Sequence, residues 1–141
     1  MPEHRTNTNE PSQILQPSAW PRPGGYANGL VTTGRLIFLS GQIGWDAQQR
    51  FQTGDFLAQA RQALQNILTI LAEADARPEH IVRLTWYIVD KQEYLACVKE
   101  LGTIYRELMG KHYPTMTMVQ VASLIEDQAR VEIEATAVLP E

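Results

Sequence analysis

The stretch Ile81 to Val89 is apolar on both faces of any strand it forms, and this constrains the chain more than any other feature. Val82, Leu84, Trp86 and Ile88 project one way, and Ile81, Tyr87 and Val89 the other. A second run, Thr115 to Val121, places Met116, Met118 and Gln120 opposite Thr117, Val119 and Val121. Against these strands the chain sets only two amphipathic helices. Leu57, Ala60, Leu64, Ile67, Leu68 and Leu71 recur at helical spacing from a capping Asp55 to about Ala74. Leu95, Val98, Leu101, Tyr105 and Leu108 repeat that spacing between Gln92 and Met109, with Gly110 suited to the end. Two helices cover one face of a sheet. The other face needs burial, and a second copy of the chain is its simplest supplier, so a homo-oligomer is expected.

Two further strands complete the pattern, Leu36 to Ser40 between Gly34 and Gly41, and Arg130 to Val138 at the end. Ser123 to Gln128 separate the last two strands. The strand–helix–strand–helix–strand–strand order predicts an α+β layer, a mixed sheet with two helices on one face. At 141 residues it fits one domain. Residues 1–22 read as a flexible N-terminal arm, in which Ile14 and Leu15 are the only apolar pair up to Ala19, and residues 23–141 as the domain. The arm's stretch to Ala19 also suits an edge extension, and Trp20-Pro21-Arg22-Pro23-Gly24-Gly25 then forms a loop.

Twelve basic and sixteen acidic residues give a net charge of −4, which argues against binding nucleic acid by phosphate neutralisation. The single cysteine, Cys97, allows neither an internal disulfide nor a four-cysteine zinc site. No run of eighteen apolar residues suggests a membrane span, and the first twenty residues lack the apolar core of a signal peptide. A soluble, cytoplasmic protein with no membrane or nucleic-acid partner is expected.

Few residues suggest chemistry by type and spacing alone. Glu132 and Glu134 lie two apart on the last strand and share a face with Thr136, opposite Val131, Ile133, Ala135 and Ala137. Two readings stand: an exposed edge with solvated carboxylates, or a cleft in which one of them handles a water or a proton. His4, His80 and His112 have no metal-ligand spacing, so no metal is expected. Cys97 reads as a small buried hydrophobe rather than a nucleophile. Ser40-Gly41-Gln42 follows a strand without forming a hydrolase elbow, and Gly24, Gly25 and Gly29 lack the context of a phosphate cradle. Trp45, Trp86, Tyr26 and Tyr113 suit either a pocket or the core.

Five segments taken in order are more specific. Gly25-Tyr26, Leu39-Ser40-Gly41-Gln42-Ile43-Gly44, Gln59 to Ile67, Tyr87-Ile88-Val89-Asp90 and Val131 to Ala137 resemble the RidA/YjgF family of reactive-intermediate deaminases, from about Pro23 onward. The resemblance implies a chorismate-mutase-like α+β subunit assembled as a homotrimer, with a small-molecule ligand in clefts between subunits. It also implies imine and enamine hydrolysis, as of 2-aminoacrylate, to a keto acid and ammonia, with no metal or other cofactor. Carried over position by position, Glu132 is the acid–base carboxylate, Ser40, Gly41 and Gln42 form the loop beside it, and Tyr26 closes the pocket.

Two positions depart from the family pattern. Met116, in Pro114-Thr115-Met116-Thr117, stands where the family has the arginine that clamps the substrate carboxylate, and Lys99 follows Val98 where asparagine is common. A desolvated arginine–carboxylate pair contributes on the order of several kcal/mol, and methionine offers no donor. Lys99 or Arg83 then supplies the charge, or the substrate has an apolar or aromatic group that Met116 and Met118 suit, or the pocket is non-catalytic. The expected function is imine/enamine hydrolysis of an atypical substrate, like a 2-iminobutanoate/2-iminopropanoate deaminase. The alternative is a non-catalytic binding or chaperone-like trimer. The ribonuclease activity reported for some members fits the acidic charge worst.

Overall fold

The computed structural model describes residues 12–141. In chain order the elements are β1 (Ser12–Leu15), β2 (Gly29–Thr32), β3 (Arg35–Ile43), α1 (Phe56–Ala72), β4 (Ile81–Ile88), α2 (Lys91–Leu95), α3 (Val98–Met109), β5 (Thr115–Gln120) and β6 (Val131–Leu139). The main sheet has the order β3-β6-β4-β5, and β1 and β2 form a separate antiparallel ribbon. Strand β6 is antiparallel to both β3 and β4, while β4 and β5 run parallel with α2 and α3 in their crossover. The sheet is therefore mixed, as expected. Ser12–Leu15 of the expected arm form β1, whereas residues 1–11, with His4, lie outside the described residues.

One sheet face is dry. Val131, Ile133, Ala135 and Ala137 of β6 meet Leu84, Trp86 and Ile88 of β4 beneath Ala60, Leu64, Ile67 and Leu71 of α1 and Leu101, Ile104 and Tyr105 of α3. The carboxylate of Asp55 accepts the Ala58 N–H at 2.9 Å and starts α1. A methyl group on Gly44 would stand 2.7 Å from the Gln59 Cα, so α1 reaches the end of β3 only because Gly44 has no side chain. Gln59 is fully buried and satisfied. Its Nε2 donates to the carbonyls of Thr53 and Gln128, and its Oε1 accepts the Arg130 N–H, which ties the β5–β6 connection to α1.

Two details differ from the sequence reading. The register of β4 against β6 steps from Ile81–Ala137 to Arg83–Thr136, and this bulge turns Ile81 into the core beside Leu84 rather than to the opposite face. The second helix breaks at Ala96 and Cys97, where Cys97 (φ −136°, ψ 27°) leaves helical geometry. The Cys97 thiol donates to the Glu93 carbonyl at 3.2 Å, and burial pushes it up from its ordinary pKa.

The opposite sheet face is open. Phe38 is 74% exposed and Leu36 62%, beside Val119, Arg83 and Thr117. Neither α1 nor α3 packs on this side.

Candidate functional site

The open face begins at β6, whose strict alternation sends Glu132, Glu134 and Thr136 away from the core, each half-buried. Its pairing with β3 carries a second bulge. Leu39 pairs with Ala135 and Gln42 with Ile133, so Ser40 and Gly41 are squeezed into one step of the ladder. The bulge presses Gly41 against Glu132: a methyl group on Gly41 would lie 2.7 Å from both Cγ and Cδ of that glutamate. The Glu132 carboxylate thus rests on the bare backbone of Ser40-Gly41-Gln42. Gln42 Nε2 donates to the Ser40 carbonyl at 3.0 Å and braces the turn.

The neighbouring carboxylate is committed. The Tyr87 hydroxyl donates to Glu134 Oε1 at 2.7 Å. That bond, then burial, then the charges of Glu134 and Glu132, hold the Tyr87 hydroxyl above its ordinary pKa. Among the described residues no hydrogen-bond donor or cation pairs with Glu132. Alternation alone made the two glutamates equivalent; Tyr87 separates them, leaving Glu132 as the carboxylate free for acid–base work.

Tyr26 and Met116 lie elsewhere. Ala27 bridges to Thr115, and its N–H donates to the Pro114 carbonyl at 3.0 Å, which fastens Tyr26 beside the β5 edge. Met116 pairs with Leu84 and packs against the core, so it projects toward the helices while Glu132 projects to the open face. Two strand spacings and three residues separate these positions, roughly 14 Å along the sheet. Ser40, Gly41, Gln42 and Glu132 form one group, and Tyr26 and Met116 another at the β5 edge, with the Met116 side chain on the opposite sheet face from Glu132.

Tyr26 and Met116 line two cavities. The first, about 590 Å³, lies on the open face under the β1–β2 ribbon and includes Phe38, Arg83 and Thr117. The second, about 470 Å³, lies between α3 and the β4–β5 edge and includes Trp86, Tyr105, Tyr113, Met118 and Arg106. Tyr105 and Tyr113 stack with centroids 6.0 Å apart and planes 14° from parallel. Tyr105 is buried, its hydroxyl donates to the His112 carbonyl, and burial raises its pKa. The Trp86 indole N–H is buried with no acceptor among the described residues.

Of the four aromatics singled out in the sequence, Tyr26, Trp86 and Tyr113 line the second cavity, while Trp45 packs on Phe51 instead. Arg83 lines the first cavity. Lys99 is exposed on the first turn of α3 and lines neither. Tyr94, Tyr105 and Arg106 escaped the sequence reading. Tyr105 had counted as an ordinary core position, and no motif marks Arg106. The histidines satisfy backbone groups: His80 Nδ1 accepts the Arg77 N–H, and His112 Nε2 bonds the Ile81 carbonyl. No helix among the described residues is long and apolar enough to cross a membrane.

A mixed sheet with helices on one face, a glutamate seated on a Ser-Gly-Gln bulge and an aromatic cavity at the β5 edge define a class of small α+β proteins. The comparisons name it. A model of the family described as Endoribonuclease L-PSP matches residues 18–139. A 127-residue stretch is 32% identical to a RutC family protein of Haemophilus influenzae, over 90% of this chain and 97% of that one. Escherichia coli "Putative reactive intermediate deaminase TdcF" is 36% identical over 118 residues, 82% of this chain and 87% of that one. The solved structure of the Rid family protein YyfB from Yersinia pestis superposes with a TM-score of 0.81 at 28% identity, over 92% of this chain and all of that one. E. coli TdcF with bound serine gives a TM-score of 0.66 at 32% identity, over 90% and 98% of the two chains. This chain belongs to the RidA/YjgF family.

Proposed function

We propose that the protein is a homotrimeric imine and enamine hydrolase acting in clefts between subunits, on a substrate other than the usual small amino-acid imine. The observation that carries this reading is the unpaired Glu132 carboxylate on the Gly41 bulge, set in a face that Phe38 and Leu36 leave apolar and open. In the proposed trimer a second copy packs on that face and buries it, and its β5 edge closes the cleft over Glu132.

In the cleft Glu132 takes a proton from water as the water oxygen adds to the imine carbon, then returns it to the nitrogen. The tetrahedral adduct collapses to a carbonyl and ammonia. An enamine first receives a proton at carbon, which gives the same imine. Water and a proton shuttle suffice, so no metal or cofactor enters the scheme. Met116 cannot clamp a carboxylate, and one set against it would lose its hydration without gaining a partner. The substrate therefore turns an apolar group toward Met116 and Met118.

A second reading, a non-catalytic ligand-binding or chaperone-like trimer, draws on the same methionine. RNA cleavage, which the family description names, is disfavoured by the net charge of −4. The test is ammonia release from 2-aminoacrylate and from an aromatic imine, by the native protein and by Glu132→Gln. Turnover of the aromatic imine that disappears in Glu132→Gln, with the assembly intact, supports the hydrolase. No turnover of either compound, with saturable ligand binding, supports the second reading.

A further inference from the structure

We infer that the cavity between α3 and the β4–β5 edge takes the aromatic side group of a 2-oxo or 2-imino acid, and that Arg106 holds its carboxylate. This rests on the preceding reading only in taking the cavity beside Met116 as the ligand's seat. Its walls are flat and apolar: the stacked rings of Tyr105 and Tyr113 on one side, and Trp86, Met116 and Met118 on the strand side. At about 470 Å³ the space suits a small molecule rather than a side chain of a partner.

Arg106 is the one charged residue in that lining. Its Nη1 lies 3.4 Å from where a Cβ on Gly102 would stand, so the guanidinium folds back along α3 over the glycine at the cavity rim. Arg61, Arg77 and Arg130 each pair with a glutamate, whereas among the described residues no carboxylate pairs with Arg106. An unneutralised guanidinium beside an aromatic slot recognises an anion attached to a flat apolar body. The Trp86 indole adds a further flat surface to the same wall. With Met116 uncharged, the positive charge of the cavity has moved from the strand to the helix.

The test is titration calorimetry on the full chain with phenylpyruvate, pyruvate and phenylacetone, which replaces the carboxylate of phenylpyruvate by a methyl group. Phenylpyruvate is expected to bind roughly tenfold or more tightly than either of the others. Arg106→Gln is expected to reduce phenylpyruvate affinity about tenfold and leave phenylacetone unchanged, with Arg106→Lys between. Arg106 is exposed, and an unchanged thermal midpoint checks that the variants fold. Equal affinity for pyruvate, or phenylpyruvate binding indifferent to Arg106→Gln, overturns the inference. Arg106-dependent binding without imine turnover overturns the hydrolase reading alone. Turnover lost in Glu132→Gln, with no aromatic acid bound, overturns this inference alone.

Discussion

Replacing Gly41 by alanine probes the seat of Glu132 without touching its chemistry. The added methyl would lie 2.7 Å from the glutamate's Cγ and Cδ, against an ordinary contact of about 3.4 Å or more, and closer still to Oε1. Backbone φ at Gly41 is not in the left-handed region, so the methyl itself strains nothing. The glutamate must yield, by roughly 1 Å at its oxygens. A displacement of that size at a reacting group costs on the order of 10²-fold in rate, or about 2.7 kcal/mol of barrier. Stability should change little, because Glu132 is half-buried and can swing toward the open face. The assay is keto-acid and ammonia release from an aromatic imine at saturating substrate, with a thermal melt in parallel. A double variant sharpens it: Gly41→Ala should add nothing to Glu132→Gln, since both act through one carboxylate. Gly41→Ala within threefold of native kcat, or effects that simply multiply, would mean that Gly41 does not set the position of Glu132.

Gln59→Leu should lower the thermal midpoint by roughly 10 °C at fixed protein concentration, because the Thr53 and Gln128 carbonyls and the Arg130 N–H lose their partner in the core. A shift under about 2 °C counts against that hub. Phe38→Glu should split the proposed assembly into 15.9 kDa monomers on light scattering, and a native protein already monomeric would contradict packing of a second copy on the Phe38 face. Tyr87→Phe should change the stability profile at alkaline pH. Tyr87 has a raised folded pKa, so its contribution is full below the unfolded value near 10 and is lost as pH rises through the folded one. Native protein should therefore lose stability above pH ~10 more steeply than Tyr87→Phe, and parallel profiles would remove the Tyr87–Glu134 bond from the account.

Much of the fold was legible because burial imposes simple periods. Strand β6 reads cleanly, and Ala60, Leu64, Ile67 and Leu71 sit where helical spacing puts them, all fully buried. What failed to read were local departures that leave the period intact. The bulge at Val82 redirects Ile81, and the break at Cys97 interrupts a helix whose apolar spacing runs on through Val98. The ribbon of β1 and β2 left only the weak signal of an arm that also suited an edge extension, since Ile14 and Val31 remain exposed.

The site divides the same way. Glu132 and Met116 were visible as residues, one by alternation and one by its contrast with a family pattern. That they point to opposite faces follows only from their register, Glu132 with Tyr87 and Met116 with Leu84. The contact of Gly41 with Glu132 depends on a bulge between non-adjacent segments, which no local pattern encodes. Arg106 looked like any solvated helix residue until Gly102 and the cavity gave it a place.

Because Met116 and Glu132 project from opposite faces of the sheet, the proposed site takes Glu132 from one subunit and Met116 with Tyr26 from another. Subunit mixing tests it most directly. Glu132→Gln and a cavity-filling Met116→Trp would each be assayed alone, then unfolded together in equal amounts and refolded. In randomly mixed trimers, a cleft is intact when its glutamate comes from a Met116→Trp subunit and its cavity from a Glu132→Gln subunit, about one cleft in four. Two nearly inactive parents and a mixture with roughly a quarter of native activity are expected. A mixture no more active than its parents would contradict a shared site and place the chemistry within a single subunit.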